Sequence, residues 1–306
     1  MPKAVRFDGY GDVDVLELRE VDAPAAAPGR VVVAVRATAI NPGEASIRAG
    51  ALADRWPATF PSGQGSDLAG VVTEVGPGVD GFAPGDEVLG WTDDRAAHAE
   101  LVAVEAGKLV PKPAGVSWEA AGSLHVVGAT AWAAVRAVAP QPGEVVVVSG
   151  AAGGVGTLAV QLAVRAGATV VGLASEDHHA WLRDHGAIAV TYGDGVEDRI
   201  RAAAGDRFDA LIDTFGGGYV DLAIGMGVAP GRIDTIIDWG TAERVGAKVD
   251  GNAVGARPEV LAELAGLIDR GELEIPIAAT YPLAAVRDAF RELERRHALG
   301  KIVLIP

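Results

Sequence analysis

Three regularly spaced glycines mark the segment of this sequence that is best suited to bind a charged ligand. Gly150, Gly153 and Gly156 stand at every third position, between an apolar β-branched run and an amphipathic segment. Glycines let a backbone approach a pyrophosphate closely, and the first N–H groups of a helix carry the positive end of its dipole. We therefore expect this segment, Gly154 and Val155 included, to bind the pyrophosphate of a dinucleotide. A tight turn without a ligand is the alternative.

Ser175 stands where a dinucleotide site places the residue that contacts the adenosine ribose. A site for NAD normally has an acid there, roughly twenty residues after the glycines, and the acid binds the ribose 2′-hydroxyl. Here the predicted strand Thr169–Leu173 ends in Ala174 and Ser175, and a serine can bind a 2′-phosphate without repelling it. Glu176 and Asp177 follow, where acids also suit the first turn of a helix. The pattern favours NADPH over NADH.

The residue types that the sequence lacks exclude several kinds of site and reaction. The sequence has no cysteine, which excludes disulfides, thiol nucleophiles and thiolate zinc sites. None of the four tyrosines has a lysine four residues away, so the common Tyr–Lys acid pair is absent as well. Reduction of a conjugated system needs neither group, because the developing enolate or hydroquinone oxygen requires only hydrogen-bond donors. Hydride transfer to a quinone or an enone is therefore favoured over alcohol chemistry.

Composition indicates a soluble protein that acts on a small molecule. The 306 residues carry a formal net charge of −15 and show no cluster of Lys and Arg, so no nucleic-acid partner is expected. Lys3, Arg6 and Asp8 interrupt the N-terminus before a signal peptide could develop. The uncharged window Val145–Val164 contains the glycines, which fits a strand, a turn and a helix better than a membrane span. We expect a cytoplasmic protein without a membrane partner.

Two patterns divide the chain into elements that could position these residues. The first ~118 residues are β-rich: Val31–Val35, Gly70–Val75 and Glu87–Gly90 are strand-like and are separated by Pro and Gly. Helical and β-branched segments alternate from about Ser117, which predicts βαβ units and a doubly wound parallel sheet. The predicted helices are Trp118–Ala139, Thr157–Ala166, Asp177–His185 and Glu197–Ala204, and the predicted strands are Val145–Val148, Thr169–Leu173, Ala187–Thr191, Ala210–Asp213 and Ile233–Ile237.

Four motifs spread over the chain resemble one known family. They are AINPGEASIRAG at Ala39–Gly50, PSGQGSDLAG at Pro61–Gly70, AAGSLHVVGATAW at Ala120–Trp132 and GKIVL at Gly300–Leu304. Together they resemble the zinc-independent, NADPH-dependent quinone oxidoreductase branch of the medium-chain dehydrogenase/reductase superfamily, with Glu44 in place of the usual aspartate. The resemblance extends over essentially the whole chain.

The resemblance implies an α/β protein with two domains. Residues 1–118 and 254–306 would form a GroES-like β-rich catalytic domain, and residues 119–253 a Rossmann domain that binds NADPH. It further implies a cleft between the domains for the nicotinamide, and a homodimer formed through the cofactor domain. The substrate would be a quinone or an α,β-unsaturated carbonyl. A non-catalytic NADPH-binding protein and a reductase of enoyl thioesters are the alternatives.

Family positions also imply roles for single residues near the cofactor. Asn41 and Thr130 match residues that lie beside the nicotinamide, and Tyr192 matches a tyrosine that helps to bind the 2′-phosphate. His179 stands where relatives often have a lysine for the same phosphate. Ile236, in the last strand predicted for this domain, completes the candidate cofactor contacts.

Departures from the family pattern concern metal binding and proton donation. The catalytic zinc ligands of related enzymes fall at Asn41, at the Ser66–Asp67 pair and at Val126, which cannot form a tetrahedral N/S site, so we expect a metal-independent protein. Ser46 replaces a tyrosine that is a frequent candidate donor. His125 is the candidate replacement, although a structural histidine is the alternative.

One ion pair is also predicted in this region. Glu44 and Arg48 are four residues apart, which is helical spacing, and we expect them to pair beneath the site. Asp67 is a candidate third member of this pair.

Overall fold

The computed structural model describes residues 1–205 and 207–306, which fold as two units. The first unit comprises Met1–Val126, Arg257–Glu272 and Ile277–Pro306, and the second comprises Val127–Ala256 and Leu273–Pro276. The first unit thus runs eight residues past the predicted boundary at residue 118, up to Val126.

The strands are β1 (Lys3–Arg6), β2 (Glu17–Glu20), β3 (Arg30–Ala39), β4 (Asp67–Val75), β5 (Glu87–Trp91), β6 (Leu101–Glu105), β7 (Leu109–Pro111), β8 (Val145–Ser149), β9 (Thr169–Ala174), β10 (Ala187–Thr191), β11 (Ala210–Asp213), β12 (Ile233–Thr235), β13 (Ile277–Pro282) and β14 (Lys301–Ile305). The α-helices are α1 (Pro42–Arg48), α2 (Trp118–Ala121), α3 (Leu124–Val138), α4 (Gly154–Arg165), α5 (His179–Asp184), α6 (Val196–Ala204), α7 (Tyr219–Gly225), α8 (Trp239–Val245), α9 (Asn252–Gly255), α10 (Pro258–Asp269) and α11 (Val286–Glu294).

Strand β3 organises the first unit. It is apolar along most of its length and pairs antiparallel with β4, β6 and β14 within a seven-stranded sheet. The pairing with β14 matches Val303 with Ala39, so the last strand of the chain lies beside the end of β3. Helix α1 starts directly after this point, with Asn41 as its N-cap residue. The topology therefore brings the last strand of the chain next to Asn41.

The second unit is built on a parallel sheet in the order β10-β9-β8-β11-β12. Successive strands run outwards from β8 in both directions, which confirms the predicted doubly wound sheet. The carboxyl ends of parallel strands lie at one edge, and ligands bind there at the point where the strand order reverses. The residues that follow β8, β9, β10 and β11 at this edge are Gly150, Ser175, Tyr192 and Thr214.

Tertiary contacts shorten some of the predicted elements. The predicted helix Trp118–Ala139 is two helices, α2 and α3, because the carbonyl of Gly122 accepts a hydrogen bond of 2.9 Å from the N–H of Ala39 on β3. The predicted helix Asp177–His185 begins as a 3₁₀ turn over Glu176–His178. Strand β12 ends at Thr235, two residues earlier than predicted. Within the described residues, no α-helix is both long enough and apolar enough to cross a bilayer.

Candidate functional site

The glycine turn has the tight geometry that its sequence predicts. Gly150 adopts a left-handed conformation with φ of 59°, which favours glycine, and its carbonyl accepts a hydrogen bond of 2.9 Å from Gly153 N–H. A Cβ on Gly156 would lie 2.1 Å from that same carbonyl oxygen, so only glycine fits there. Gly153, Gly154 and Val155 are half-buried at the start of α4. The turn therefore places the first N–H groups of α4 beside tightly packed glycines, an arrangement that fits the pyrophosphate of a dinucleotide.

A buried aspartate holds the strand ends around this turn. The Ser149 hydroxyl donates to Asp213 Oδ1 at 2.5 Å, and the Thr235 hydroxyl donates to Oδ2 at 2.8 Å. The N–H of Gly216 donates to Oδ1 as well, at 2.9 Å. Asp213 is fully buried and so connects the carboxyl ends of β8, β11 and β12. Sequence reasoning missed it, although an acid at the end of a buried strand next to the turn could have indicated it.

The sheet register brings together the residues predicted to contact the 2′-phosphate. Thr191 of β10 pairs with Ala174 of β9, so Tyr192 and Ser175 are the next residues on neighbouring strands. Ser175 is half-buried, and its side chain does not cap the following turn. His179 contacts the Ala174 carbonyl through Nε2 at 3.3 Å.

Other predicted contacts lie at the same edge of the sheet. Glu176 and Asp177 are exposed in the 3₁₀ turn, as their place in a first turn predicts. Ile236 follows β12, and its N–H donates to the Asp213 carbonyl at 3.1 Å. The geometry is compatible with the predicted cofactor contacts of the second unit, whose roles stay predictions.

In the first unit, Asn41 is the centre of a buried polar cluster. Its Oδ1 accepts a hydrogen bond of 2.6 Å from the Lys301 ammonium. Its Nδ2 donates to Asp67 Oδ2 at 2.9 Å and to Glu44 Oε1 at 3.2 Å. We call Asn41, Glu44, Asp67 and Lys301 the Asn41 cluster, and all four are at most 8% exposed. The role of Lys301 escaped sequence reasoning, because its partner lies near the other end of the chain.

Burial decides the electrostatics of this cluster. Desolvation raises the pKa of Glu44 to about 7, although Lys301 and hydrogen bonds from Asn41 and the Ser66 N–H oppose the shift. The pKa of Asp67 is raised to about 6 by the same cause. Burial also lowers the pKa of Lys301, against the pull of the two carboxylates. One buried ammonium thus interacts electrostatically with two carboxyl groups, and burial disfavours the charged form of both.

The predicted ion pair between Glu44 and Arg48 is wrong. Arg48 is buried, and its guanidinium donates to Glu294 of α11 at 2.6 Å while lying 5.2 Å from the centroid of the Phe290 ring. Glu44 instead caps α1, since it accepts the N–H of Asn41 at 3.0 Å. The predicted third member, Asp67, shares Asn41 with Glu44 rather than an arginine.

The donor set at the former metal positions does not fit zinc. Asp67 Oδ1 accepts the Val126 N–H at 2.7 Å and Oδ2 accepts from Asn41, so both carboxylate oxygens already have partners. The remaining positions offer an amide, a hydroxyl and a valine. In the part of the chain that the structure describes, no three His, Asp or Glu side chains form a group that could hold a metal ion.

His125 lies in an environment that favours a structural role. Its ring stacks on Trp91 with centroids 4.2 Å apart and planes within 4°, and it is 3% exposed. Burial lowers its pKa to about 3, so the ring stays neutral at physiological pH and is a weak proton donor. Ser46 is half-buried on α1, and Thr130 is buried on α3. Catalytic roles for these residues stay predictions.

Comparisons with known proteins match both units. The family model of the alcohol dehydrogenase GroES-like domain matches residues 27–114, and that of the zinc-binding dehydrogenases matches residues 185–304. The first match supports the expected GroES-like architecture of the β-rich unit. The quinone oxidoreductase of Coxiella burnetii has a solved structure that covers the whole chain with a TM-score of 0.90 and 30% identity, and 99% of that structure is matched.

Two curated relatives extend the comparison. The NADPH-dependent alkenal/one oxidoreductase of Arabidopsis thaliana chloroplasts is 30% identical over 322 residues, which cover 99% of this chain and 79% of that protein. The pikromycin polyketide synthase component PikAII of Streptomyces venezuelae is 35% identical over 297 residues. That match covers 90% of this chain but spans 8% of the synthase component.

Proposed function

Because this chain belongs to the quinone oxidoreductase branch of the medium-chain dehydrogenase/reductase superfamily, we propose that it transfers a hydride from NADPH to a quinone or an α,β-unsaturated carbonyl. The observation that carries the proposal is the glycine turn beside strand β9, which is followed by Ser175 rather than by an acid. No metal ion takes part in this proposal, since the two carboxylate oxygens of Asp67 already accept hydrogen bonds from the Asn41 amide and the Val126 N–H.

The second unit binds the cofactor in this proposal. Backbone N–H groups of Gly154 and Val155 bind the pyrophosphate, and Ser175 and Tyr192 contact the 2′-phosphate. The bound cofactor supplies the hydride. Asn41 and Thr130 are the proposed nicotinamide contacts, by their match to the family pattern. The Asn41 cluster fixes the orientation of the Asn41 amide before any ligand binds.

The substrate oxygen requires a donor rather than a Lewis acid. Hydride addition to the β-carbon of an enone, or to a quinone ring, places negative charge on an oxygen that hydrogen bonds can stabilise. The Ser46 hydroxyl is the proposed donor on α1, but a serine is a poor acid. Since His125 is buried and neutral, we propose that water supplies the proton.

Similarity to a polyketide synthase component supports an enoyl thioester as the second candidate substrate class. PikAII is 35% identical to this chain over 297 residues, within a much longer protein. An enoyl thioester is also an α,β-unsaturated carbonyl, so the same hydride addition would apply. The two candidates differ in the group attached to the carbonyl and not in the chemistry.

Oxidation of NADPH, followed by its near-ultraviolet absorbance, tests the proposal. The substrates are a para-quinone, an enal, an enoyl thioester and a simple ketone, each with and without a chelator. We expect turnover of at least one of the first three, no turnover of the ketone, and no effect of the chelator. Turnover of the ketone alone would overturn the substrate class. Stoichiometric zinc in elemental analysis, together with inhibition by the chelator, would overturn the metal-independent mechanism.

A homodimer formed through the second unit is proposed by analogy with the family. Light scattering at micromolar concentration should give twice the mass of the chain, and a monomer would contradict this part of the proposal.

A further inference from the structure

Arg199 binds four successive backbone carbonyls at the carboxyl end of β10. The residue lies on α6 and is half-buried, and its guanidinium points back towards Thr191, the last residue of β10, and the three residues after it. It donates to the carbonyl oxygens of Thr191 (2.8 Å from Nε), Asp194 (2.8 Å from Nη1), and Tyr192 and Gly193 (both 3.2 Å from Nη2). We call residues 191–194 the Tyr192 loop.

These four hydrogen bonds need a guanidinium. Arginine offers five N–H donors in a rigid planar fork, whereas the lysine ammonium is a point charge with three donors. The Tyr192 loop also contains Gly193 in a left-handed conformation, with φ of 93°, and residues 192–194 are exposed. The Arg199 side chain therefore stabilises the conformation of a loop that gains little from burial.

The loop lies next to the position proposed for the 2′-phosphate. Thr191 pairs with Ala174, so the Tyr192 loop begins beside Ser175. In this last pair, the Ala174 carbonyl contacts the His179 ring, and the Thr191 carbonyl accepts a hydrogen bond from Arg199.

Acidic residues follow both of the neighbouring strands β9 and β10 at this edge of the sheet. Glu176 and Asp177 are exposed directly after Ser175, and Asp194 is exposed within the loop. Arg199 also opposes the burial that raises the pKa of Tyr219, whose ring packs 6.3 Å from that of Phe215. Phe215 in turn stacks with Tyr192 at 6.4 Å. The positive charge of Arg199 thus acts on Tyr219, which belongs to the aromatic group that includes Tyr192.

We propose that Arg199 is a positioning residue that determines specificity for NADPH, by fixing the Tyr192 loop beside Ser175 and by offsetting the acidic charge where the 2′-phosphate binds. The inference rests on the proposed use of NADPH. A 2′-phosphate responds to this charge and a 2′-hydroxyl does not, so the effect belongs to NADPH rather than to NADH.

Binding titrations of NADPH and NADH, followed by calorimetry, test this role without reference to turnover. Arg199→Gln removes the charge and most of the donors, and should raise the Kd for NADPH by about tenfold or more while changing the Kd for NADH less than about twofold. Arg199→Lys keeps the charge but cannot bind four carbonyls, and should give an intermediate value. Arg201→Gln is the matched control, because Arg201 lies on the same helix and pairs with Glu197 at 2.8 Å.

The outcomes separate this inference from the proposed function. An unchanged ratio of the two dissociation constants in Arg199→Gln would overturn the inference alone, as would an equal loss of both cofactors or an equal effect of Arg201→Gln. If Arg199→Gln does not fold, the Arg199→Lys ratio decides in the same way. An unmodified protein that binds NADH more tightly than NADPH would overturn the proposed function, and the inference with it.

Discussion

The ammonium of Lys301 donates to the side-chain oxygen of Asn41 at 2.6 Å, although the two residues are 260 positions apart in the chain. The antiparallel pairing of β14 with β3 makes this contact possible. It also sets the direction of the amide, because the oxygen must accept from the ammonium while the nitrogen donates to Glu44 and Asp67. A flipped amide would place its oxygen against two carboxylates.

Lys301→Met should strongly destabilise the protein. The substitution removes the donor to the Ile40 carbonyl and to Asn41 Oδ1, and with it the positive charge that acts on the buried Glu44 and Asp67. Each buried acceptor left without a partner typically costs about 1–3 kcal/mol of unfolding free energy. Urea denaturation measures the change. Lys108→Met is the control, since Lys108 pairs with the more exposed Asp93 and Glu105 and should cost about 1 kcal/mol or less. Equal losses in the two variants would contradict the importance of the buried contact.

Glu44 gives the unfolding free energy a pH dependence of defined sign. Its pKa is raised by burial to about 7, from 4.5 for an ordinary glutamate. Between these values the folded protein keeps a proton that the unfolded chain has lost, so the contribution of Glu44 to stability falls as the pH rises. The unfolding free energy of Glu44→Gln, relative to the unmodified protein, should therefore increase from about pH 5 to about pH 8, by on the order of 3 kcal/mol.

Denaturation at several pH values, for both proteins, measures this difference. The readout is how this difference in unfolding free energy changes with pH. Its absolute value is not used, because Gln also alters the hydrogen bonds from Asn41 and Ser66 and so shifts the difference by the same amount at every pH. Glu263→Gln is the control for the same substitution at an exposed position, since Glu263 is exposed on α10. A flat difference for Glu44→Gln would show that Glu44 ionises normally in the folded protein.

Gly156→Ala should prevent dinucleotide binding. The new methyl group would lie 2.1 Å from the Gly150 carbonyl oxygen and 2.8 Å from the Ala151 Cα, so the turn itself must move. Overpacking of this kind costs about 1–3 kcal/mol of stability. Calorimetric titration with NADPH and thermal unfolding test both effects. Gly240→Ala on α8, where a Cβ meets no atom within 4 Å, is the control and should bind NADPH normally. Unchanged NADPH binding in Gly156→Ala would contradict a pyrophosphate site at the glycine turn.

Ser175→Asp should reverse part of the cofactor preference. Losing a hydrogen bond to a charged group costs about 1.5–3 kcal/mol, or on the order of tenfold to a hundredfold in affinity, and the new carboxylate adds repulsion. NADPH should bind at least that much more weakly, with NADH nearly unaffected. Ser175→Ala separates the two causes, because it removes the hydroxyl without adding charge. If Ser175→Asp leaves the NADPH constant unchanged, the pocket lies elsewhere.

The local sequence pattern was sufficient to predict the strands of the parallel sheet. The runs Ala187–Thr191 and Ala210–Asp213 are strands with the predicted bounds, because buried parallel strands are short apolar runs between turn residues. The glycine turn was also predictable, since its conformation depends on residues within a few positions. The helix from Trp118 was predicted as continuous because its interruption comes from a hydrogen bond to Ala39, which no local pattern contains.

The polar contacts of the candidate site depend on residues that are distant in sequence. Helical spacing favoured Arg48 as the partner of Glu44, yet Glu294 reaches Arg48 from a helix near the C-terminus. The contact of Lys301 with Asn41 similarly depends on the pairing of β14 with β3, and not on the spacing of residues along the sequence. Burial then changes the ionisation of Glu44 and Asp67, and burial of polar groups follows from the tertiary fold.

Asp213 also has a consequence for how the protein fluctuates. Its carboxylate joins the strand before the glycine turn to the outermost strand β12 through Ser149 and Thr235. Parts of a protein that share buried hydrogen bonds open together, as one cooperative unit. We therefore expect the glycine turn to open only together with the three strand ends that Asp213 connects, and so as rarely as the sheet itself.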